Sequence, residues 1–375
     1  MRICLVSAGA FAHVGAYIDY FKDAGHDVRF VALSPSPPRP VPTYEVGVGM
    51  GRRSQYAVGM LRVRALIRRL RPDVVHTHYA TSGGLAGLVS GYHPTVVTAH
   101  GTDLATGVRS PARRALLKAV FARADCVNPV SEELRTLALE LGVDPAKVLV
   151  LTLGVDTTLF AFRPPAPLQP GRRLRLICTR RLEPVYDAAT IVEALALLKR
   201  EGVPCRATFA GDGPERPALE RLAAARGLGA DDVVFLGEVA HDSLPDLLRG
   251  HDVYLSASRR DGTSLSLLEA MSCGVFPIVS DIPANAAWLK DGVGGFFHRA
   301  GDPADLARRV AEFARAPGVA AAAARANAAV VARSGDRAKN MGKLEERYAA
   351  LVAARKNSCT AAIRSTPPTA YDGLP

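Results

Sequence analysis

The sequence predicts an α/β protein built from two doubly wound, Rossmann-like parallel sheets in tandem, and three observations predict it. Short β-branched runs alternate with amphipathic, helix-length stretches along the whole chain, the pattern of parallel strands covered by helices on both faces. The alternation breaks once, at Arg163-Pro164-Pro165-Ala166-Pro167-Leu168-Gln169-Pro170-Gly171, where four prolines preclude a continuous helix or a central strand, and then restarts. The length, 375 residues, suits two domains at roughly 150 residues each.

In the first half the strand-like runs are Arg2–Val6, Val28–Leu33, Asp73–Thr77, Thr95–Ala99, Asp125–Val130 and Lys147–Leu151. In the second they are Leu174–Thr179, Cys205–Ala210, Val233–Leu236, Asp252–Ser256 and Val275–Ser280. Helical periodicity marks Gln55–Leu70, Arg113–Arg123, Glu132–Leu141, Ala188–Lys199 and Glu215–Ala225. The expected organisation is a first domain over 1–163, a linker over 164–172 and a second domain over 173–335. A helix over 336–356 is expected to return to the first domain, and the aperiodic stretch 357–375 reads as a disordered tail. Ligands of doubly wound sheets bind at the carboxyl ends of the strands, so the two domains are expected to face each other across a cleft.

Composition narrows the function classes. Hydrophobic residues make up 48% and charged residues 22%, which excludes collagen-like and low-complexity chains. The six cysteines (Cys4, Cys126, Cys178, Cys205, Cys273, Cys359) form no C-x-x-C pair. That excludes zinc ribbons, redox dithiols and disulfide scaffolds and fits a reducing cytoplasm. No apolar run spans a bilayer, and Ile3–Val6 is too short for a signal-peptide core. The expected location is therefore the cytoplasm, with the inner face of the membrane in reach. Net charge is +11, and residues 1–155 hold 18 Lys and Arg against 11 Asp and Glu, so an anion-seeking face belongs to the first half.

The most informative window runs from Ser256 to Gly274, S-A-S-R-R-D-G-T-S-L-S-L-L-E-A-M-S-C-G. A strand ends, a glycine-containing loop turns, and a helix starts near Ser264 or Leu265. Free N–H groups and the positive helix end converge there, which suits an anion or the oxygens of a sugar. Asp261 precedes the turn and Glu269 lies just over one turn into the helix, so the two carboxylates can accept hydrogen bonds from different parts of one ligand. The same residues also read as a capped helix with an exposed Asp and a buried, satisfied Glu.

The window resembles the donor motif of family 4 glycosyltransferases, retaining enzymes of the GT-B fold. That motif has an acidic residue, seven residues and then Glu, within E-G-x-S-L-x-L-L-E-A-M-A-C-G. Further matches follow in order over about 350 residues. Pro72–His78 is similar to P-D-V-V-H-x-H, Val97–Asp103 to T-x-H-G-x-D, Leu153–Phe160 to N-G-V-D-x-x-x-F, and Ala210–Glu215 to A-G-D-G-P-E. The resemblance implies that Glu269 binds the ribose diol of a sugar nucleotide. It implies that Asp261, with Gly262 and the N–H groups of Thr263, Ser264 and Leu265, holds the donor sugar. Arg181 would neutralise the leaving diphosphate. His100 would face the donor sugar, and the turn from Gly9 to Gly15 and Gly211 would lie near the donor. Three departures stand out. Asp261 replaces Glu, which shortens the reach by ~1.5 Å. Tyr186 replaces a phosphate-binding Lys and Asp187 replaces Gly in R-L-x-x-x-K-G. Arg180 adjoins Arg181 and could compensate, although strand alternation points it the other way.

Three further features complete the reading. His76 and His78 share a strand face without the further ligands that zinc takes, so no metal is expected and a packed strand end is preferred. Gly211-Asp212-Gly213 lacks the third glycine of a dinucleotide fingerprint. Arg62, Arg64, Arg68, Arg69 and Arg71 surround an apolar stripe of Val63, Leu66, Ile67 and Leu70. They read as a solvated helix face or as a contact with anionic lipid or a lipid-diphosphate acceptor, not with nucleic acid. The expected activity is transfer of a hexose from a nucleoside diphosphate sugar, UDP favoured over GDP, to a hydroxyl acceptor, with retention and without a metal or other cofactor. Polysaccharide or lipid-linked oligosaccharide assembly is the leading setting and a small-metabolite acceptor the second. A sugar-nucleotide epimerase of the same fold and a catalytically degenerate binding scaffold are the alternatives.

Overall fold

The computed structural model describes residues 1–9, 12–47, 53–108, 110–169 and 171–364. Its first sheet contains β1 (Arg2–Ser7), β2 (Asp27–Ala32), β3 (Thr43–Glu45), β4 (Val74–His78), β5 (Thr95–Ala99) and β6 (Cys126–Pro129) in the order β3-β2-β1-β4-β5-β6. The second contains β7 (Leu174–Cys178), β8 (Cys205–Phe209), β9 (Val233–Phe235), β10 (Val253–Ser256), β11 (Phe276–Ser280) and β12 (Phe296–His298) in the order β9-β8-β7-β10-β11-β12. Every pairing is parallel, and the two orders are the same. The central strands are buried on both faces, as in Ile3–Val6 and Val74–His78; Ile3–Val6 therefore reads as an unbroken apolar run, whereas β4 buries His76, Thr77 and His78 as well. The expected α/β class is the observed one.

Helices α1 (Ala12–Asp23), α2 (Arg53–Leu70), α3 (Gly84–Ser90), α4 (Thr102–Gly107), α5 (Pro111–Arg123) and α6 (Glu132–Glu140) connect the first sheet. Helices α7 (Ala188–Arg200), α8 (Arg216–Ala225), α9 (Leu244–Arg249), α10 (Leu265–Cys273), α11 (Pro283–Ala286), α12 (Pro303–Arg315) and α13 (Val319–Val330) belong with the second, and α14 (Arg337–Arg364) closes the described chain.

Several boundaries differ from the sequence-based ones. Lys147–Leu151 is not a strand. Asp144 accepts the Ala146 N–H at 2.9 Å and caps a single turn at Pro145–Lys147, leaving an isolated bridge between Val127 and Val148. β3 and β12 have three residues each, too short for a period to register. The terminal helix continues through 357–364, and 365–375 lie outside the described residues.

The chain forms two compact units, one of Met1–Val130, Leu134–Leu151 and Met341 onward, the other of Ser131–Glu133 and Thr152–Asn340. The division falls at Leu151, ahead of the proline-rich stretch, because the intervening segment packs with the second unit. Val155 and Phe160 are fully buried with Ile177, Tyr254 and Leu267, and Ser272 Oγ donates to the Phe160 carbonyl at 2.7 Å. Gly154 has φ 72°, and a Cβ there would stand 2.3 Å from the Gly335 carbonyl oxygen, so only glycine lets these backbones meet. From Met341 onward α14 belongs to the first unit, where Tyr348 stacks on Phe21 at 5.3 Å.

On α2, Val63 and Ile67 are buried and Leu66 and Leu70 partly so, while Arg62, Arg68 and Arg69 are exposed together with Val58 and Leu61. Arg64 instead donates to the Val89 carbonyl at 3.1 Å. Among the described residues no helix is long and apolar enough to cross a membrane.

Candidate active site

In the second unit, β10 ends at Ser256 and α10 begins at Leu265. Ser264 has extended backbone angles, and its Oγ accepts the Leu267 N–H at 3.3 Å, the geometry of an N-cap. The cap leaves other N–H groups of the first turn available at the positive end of the helix dipole. Glu269, at the fifth position of α10, is 8% exposed. Its Oε1 stands 3.3 Å from His241 Nε2, and the His241 ring sits edge-on to Phe160 at 5.2 Å. The hydrogen bond that His241 donates to the Glu269 carboxylate holds the His241 pKa above the usual histidine value.

Asp261 accepts the Gly262 N–H at 2.8 Å and meets Arg180 Nη2 at 2.6 Å. Arg180 Nη1 donates to Ser264 Oγ at 3.0 Å and Ser266 Oγ at 3.1 Å, and the Tyr186 ring covers the guanidinium at 4.0 Å. This corrects the expected orientations. Arg180 points into the loop that carries Asp261, whereas the Arg181 side chain is 66% exposed with its Nε on Glu183 at 2.8 Å. β7 ends at Cys178, so the period-2 rule no longer governs position 180. The segment is instead set by β8's exit. Leu182 N–H donates to the Asp212 carbonyl at 3.0 Å, and a Cβ on Gly211 would stand 2.3 Å from the Arg180 carbonyl oxygen. Gly211 thus makes a close backbone approach possible. Asp187, where the resembling motif has glycine, takes φ 46°, a conformation that Asp tolerates better than most residues. Its carboxylate pairs with Arg259 at 2.8 Å and accepts from Thr190 Oγ1 at 2.9 Å.

In the first unit, His100 follows β5. The buried Asp103 accepts the backbone N–H groups of His100 at 3.2 Å, Gly101 at 3.0 Å and Ala80 at 2.7 Å, fixing the turn. The ring of His100 lies against three others. His78 Nδ1 is 3.1 Å from His100 Nε2, the His13 ring is 4.6 Å away, and the Tyr79 ring is 4.7 Å away. Tyr79 has φ 66°, an uncommon backbone for a bulky residue and the kind of strain that gathers at functional sites. His76 is held by Thr98 Oγ1 at 2.6 Å and by the Tyr348 hydroxyl. Burial lowers the pKa of His76 to about 3 and of His13 to about 4, and it pushes His78 and His100 well below the usual value. The cluster is therefore neutral near pH 7. Among the described residues no group of three His, Cys, Asp or Glu is placed to hold a metal ion.

Of the expected turn, Gly9 lies in a bend after β1, residues 10 and 11 lie outside the described residues, and Gly15 falls within α1. A Cβ on Gly15 would meet the Arg39 guanidinium at 2.5 Å. The sequence reading missed Arg39, which sits among prolines with no motif around it. It also missed His241, Arg259 and Tyr79. His241 and Arg259 come from loops whose residues carry no periodic signal.

The family described as Glycosyltransferase Family 4 matches residues 7–159, and that described as Glycosyl transferases group 1 matches residues 163–330. The D-inositol 3-phosphate glycosyltransferase of Actinosynnema mirum is 31% identical over 70% of this chain and 69% of its own length. The enzyme of that name from Geodermatophilus obscurus is 30% identical over 68% of this chain, and the match spans 62% of that protein's length. HepE of Anabaena, solved in complex with UDP and glucose, shares the fold over 94% of this chain and all of its own, with a TM-score of 0.76 and 17% identity. With two sheets of matching strand order, an N-capped helix after β10 and these similarities in hand, the chain belongs to the family 4 (group 1) glycosyltransferases of GT-B fold.

Proposed function

We propose that the protein transfers a hexose from a nucleoside diphosphate sugar, with UDP as the base-bearing half, to a hydroxyl acceptor. The observation that carries this reading is the capped N-terminus of α10, with Asp261 before it and the buried Glu269 one turn inside. Glu269 would accept the ribose hydroxyls. The N–H groups of Thr263 to Leu265 would face oxygens of the donor, while the Gly262 N–H is held by Asp261. Arg181, whose guanidinium is solvent-accessible, would neutralise charge on the departing diphosphate. The first unit would serve the acceptor, and its His100 sits in a neutral aromatic setting. Retention is taken from the resemblance to the family. Among the described residues of the second unit's site no side chain stands out as a nucleophile for double displacement, so the leaving phosphate would accept the acceptor's proton on the same face, and the helix end and arginine would supply the charge that a divalent cation brings elsewhere. The solved relative with UDP and glucose supports a UDP-hexose donor. The exposed arginines and apolar residues of α2 support contact with an anionic lipid surface during saccharide or lipid-linked assembly.

A thermal-shift panel with UDP, GDP, ADP and dTDP, each with and without Mg²⁺, tests the reading. At a hundred times its Kd a nucleotide stabilises by about 2.7 kcal/mol. UDP is expected to raise the unfolding temperature without needing Mg²⁺. A shift with GDP alone would change the donor. A shift that appears only with Mg²⁺ would end the metal-free reading, and no shift with any nucleotide would move the binding scaffold to first place.

A further inference from the structure

Two residues that depart from the resembling motif lie on one buried guanidinium. Arg180 is 9% exposed. One side of its fork is taken by Asp261 and the other by Ser264 and Ser266, while the Tyr186 ring covers its face. Ser264 is the N-cap of α10, and Ser266 is gripped a second time by the Tyr254 hydroxyl at 2.9 Å. One side chain thus ties three positions of the segment 261–266. A charge this buried needs a partner, and here Asp261 and two hydroxyls occupy both terminal nitrogens while Nε alone has no hydrogen-bond partner. A planar fork can meet a carboxylate and two hydroxyls at fixed angles, which an ammonium cannot.

We infer that Arg180, Asp261 and Tyr186 work as one unit that holds the 261–266 segment, with Arg180 a positioning residue rather than a phosphate contact. The inference rests on reading α10's N-terminus as the donor site. Arg180 has its fork occupied inside the protein, so it is not a free cation standing in for the lysine expected at 186. The departures at 261 and 186 are a matched replacement, not decay. Tyr186→Lys would strip the ring from Arg180 and set a second cation beside it. Asp261→Glu would push a longer carboxylate against a guanidinium already at 2.6 Å. Each change toward the motif should lose function.

Two measurements test this, one needing no ligand. Hydrogen exchange at the amides of 262–267 is expected to quicken about tenfold in Tyr186→Lys and Arg180→Lys, with β7 and β11 protected as before. Unchanged exchange in both variants overturns the clamp. In donor-dependent assays both variants are expected to raise the donor KM about tenfold or more. Mere loss of folded protein would instead lower kcat and leave KM in place. Arg180→Lys combined with Asp261→Asn is expected to cost no more than the worse single change. Multiplying losses, or a Tyr186→Lys protein that binds donor more tightly, would overturn the unit. If the parent protein binds no nucleotide, the donor reading falls and the exchange result still decides the clamp.

Discussion

The two sheets share one strand order, yet the carboxyl ends of their strands carry opposite electrostatics. In the first unit the rings gathered around His100 are imidazoles and phenols, the one carboxylate beside it, Asp103, is taken by backbone N–H groups, and burial drives every histidine of the cluster toward its neutral form. In the second unit the corresponding loops hold charge in pairs: Arg180 with Asp261, Arg259 with Asp187, and His241 with Glu269. Histidine itself shifts both ways, down in the first unit by loss of water and up at His241 by a carboxylate. A doubly wound topology decides where a ligand site forms, and the side chains of the loops decide what it can hold.

The contrast can be broken most forcefully at Arg181. Arg181→Ala is expected to lower turnover by a factor of ~100 with the unfolding temperature unchanged. Near-normal turnover would remove its phosphate role and leave the helix end alone to carry the charge.

Acid should destabilise the first unit. His76 has a folded pKa of about 3 against 6.5 unfolded. Below pH 6.5 the unfolded chain takes the proton first, and stability falls as pH drops toward 3. His76 alone should cost about 2 kcal/mol by pH 5, with His13 adding to the same slope. Denaturant unfolding at pH 7, 6 and 5 measures it, and a flat profile would mean the cluster is not dry.

The smallest effect has the opposite sign. The folded pKa of His241 is raised, so its contribution is full below pH 6.5 and disappears as pH rises through the folded value. The side chain is half exposed, so His241→Gln should cost only a few tenths of a kcal/mol at pH 6 and nothing at pH 9. An equal cost at both pH values would make His241 a packing residue rather than an ionic partner of Glu269.

Much of this was legible in the residues. Thr95–Ala99 is a strand as read, and the Ser264 cap is visible because a hydroxyl precedes an apolar helical run. The side-chain directions at 180 and 181 were not legible. Alternation holds only inside a strand, and β7 ends two residues earlier. The backbone there is placed by Gly211 and Asp212, about thirty residues away in sequence. β3 and β12 were missed because three residues show no period (β9, equally short, was read only from its apolar run), and Lys147–Leu151 was misread because an apolar run does not reveal how much of it pairs: it meets the edge strand β6 in a single bridge, Val127 to Val148.

The sequence by itself determined the strand–helix alternation, the two sheets and the position of the α10 motif. These follow from periodicity and capping, which act between near neighbours in the chain. Only the tertiary structure decided which arginine faces Asp261, that His241 meets Glu269, and that four imidazoles and Tyr348 share one cluster. From His78–His100 to His76–Tyr348, the contacts between elements join residues 22 to 272 positions apart. Their protonation follows from burial and partners that no local pattern encodes.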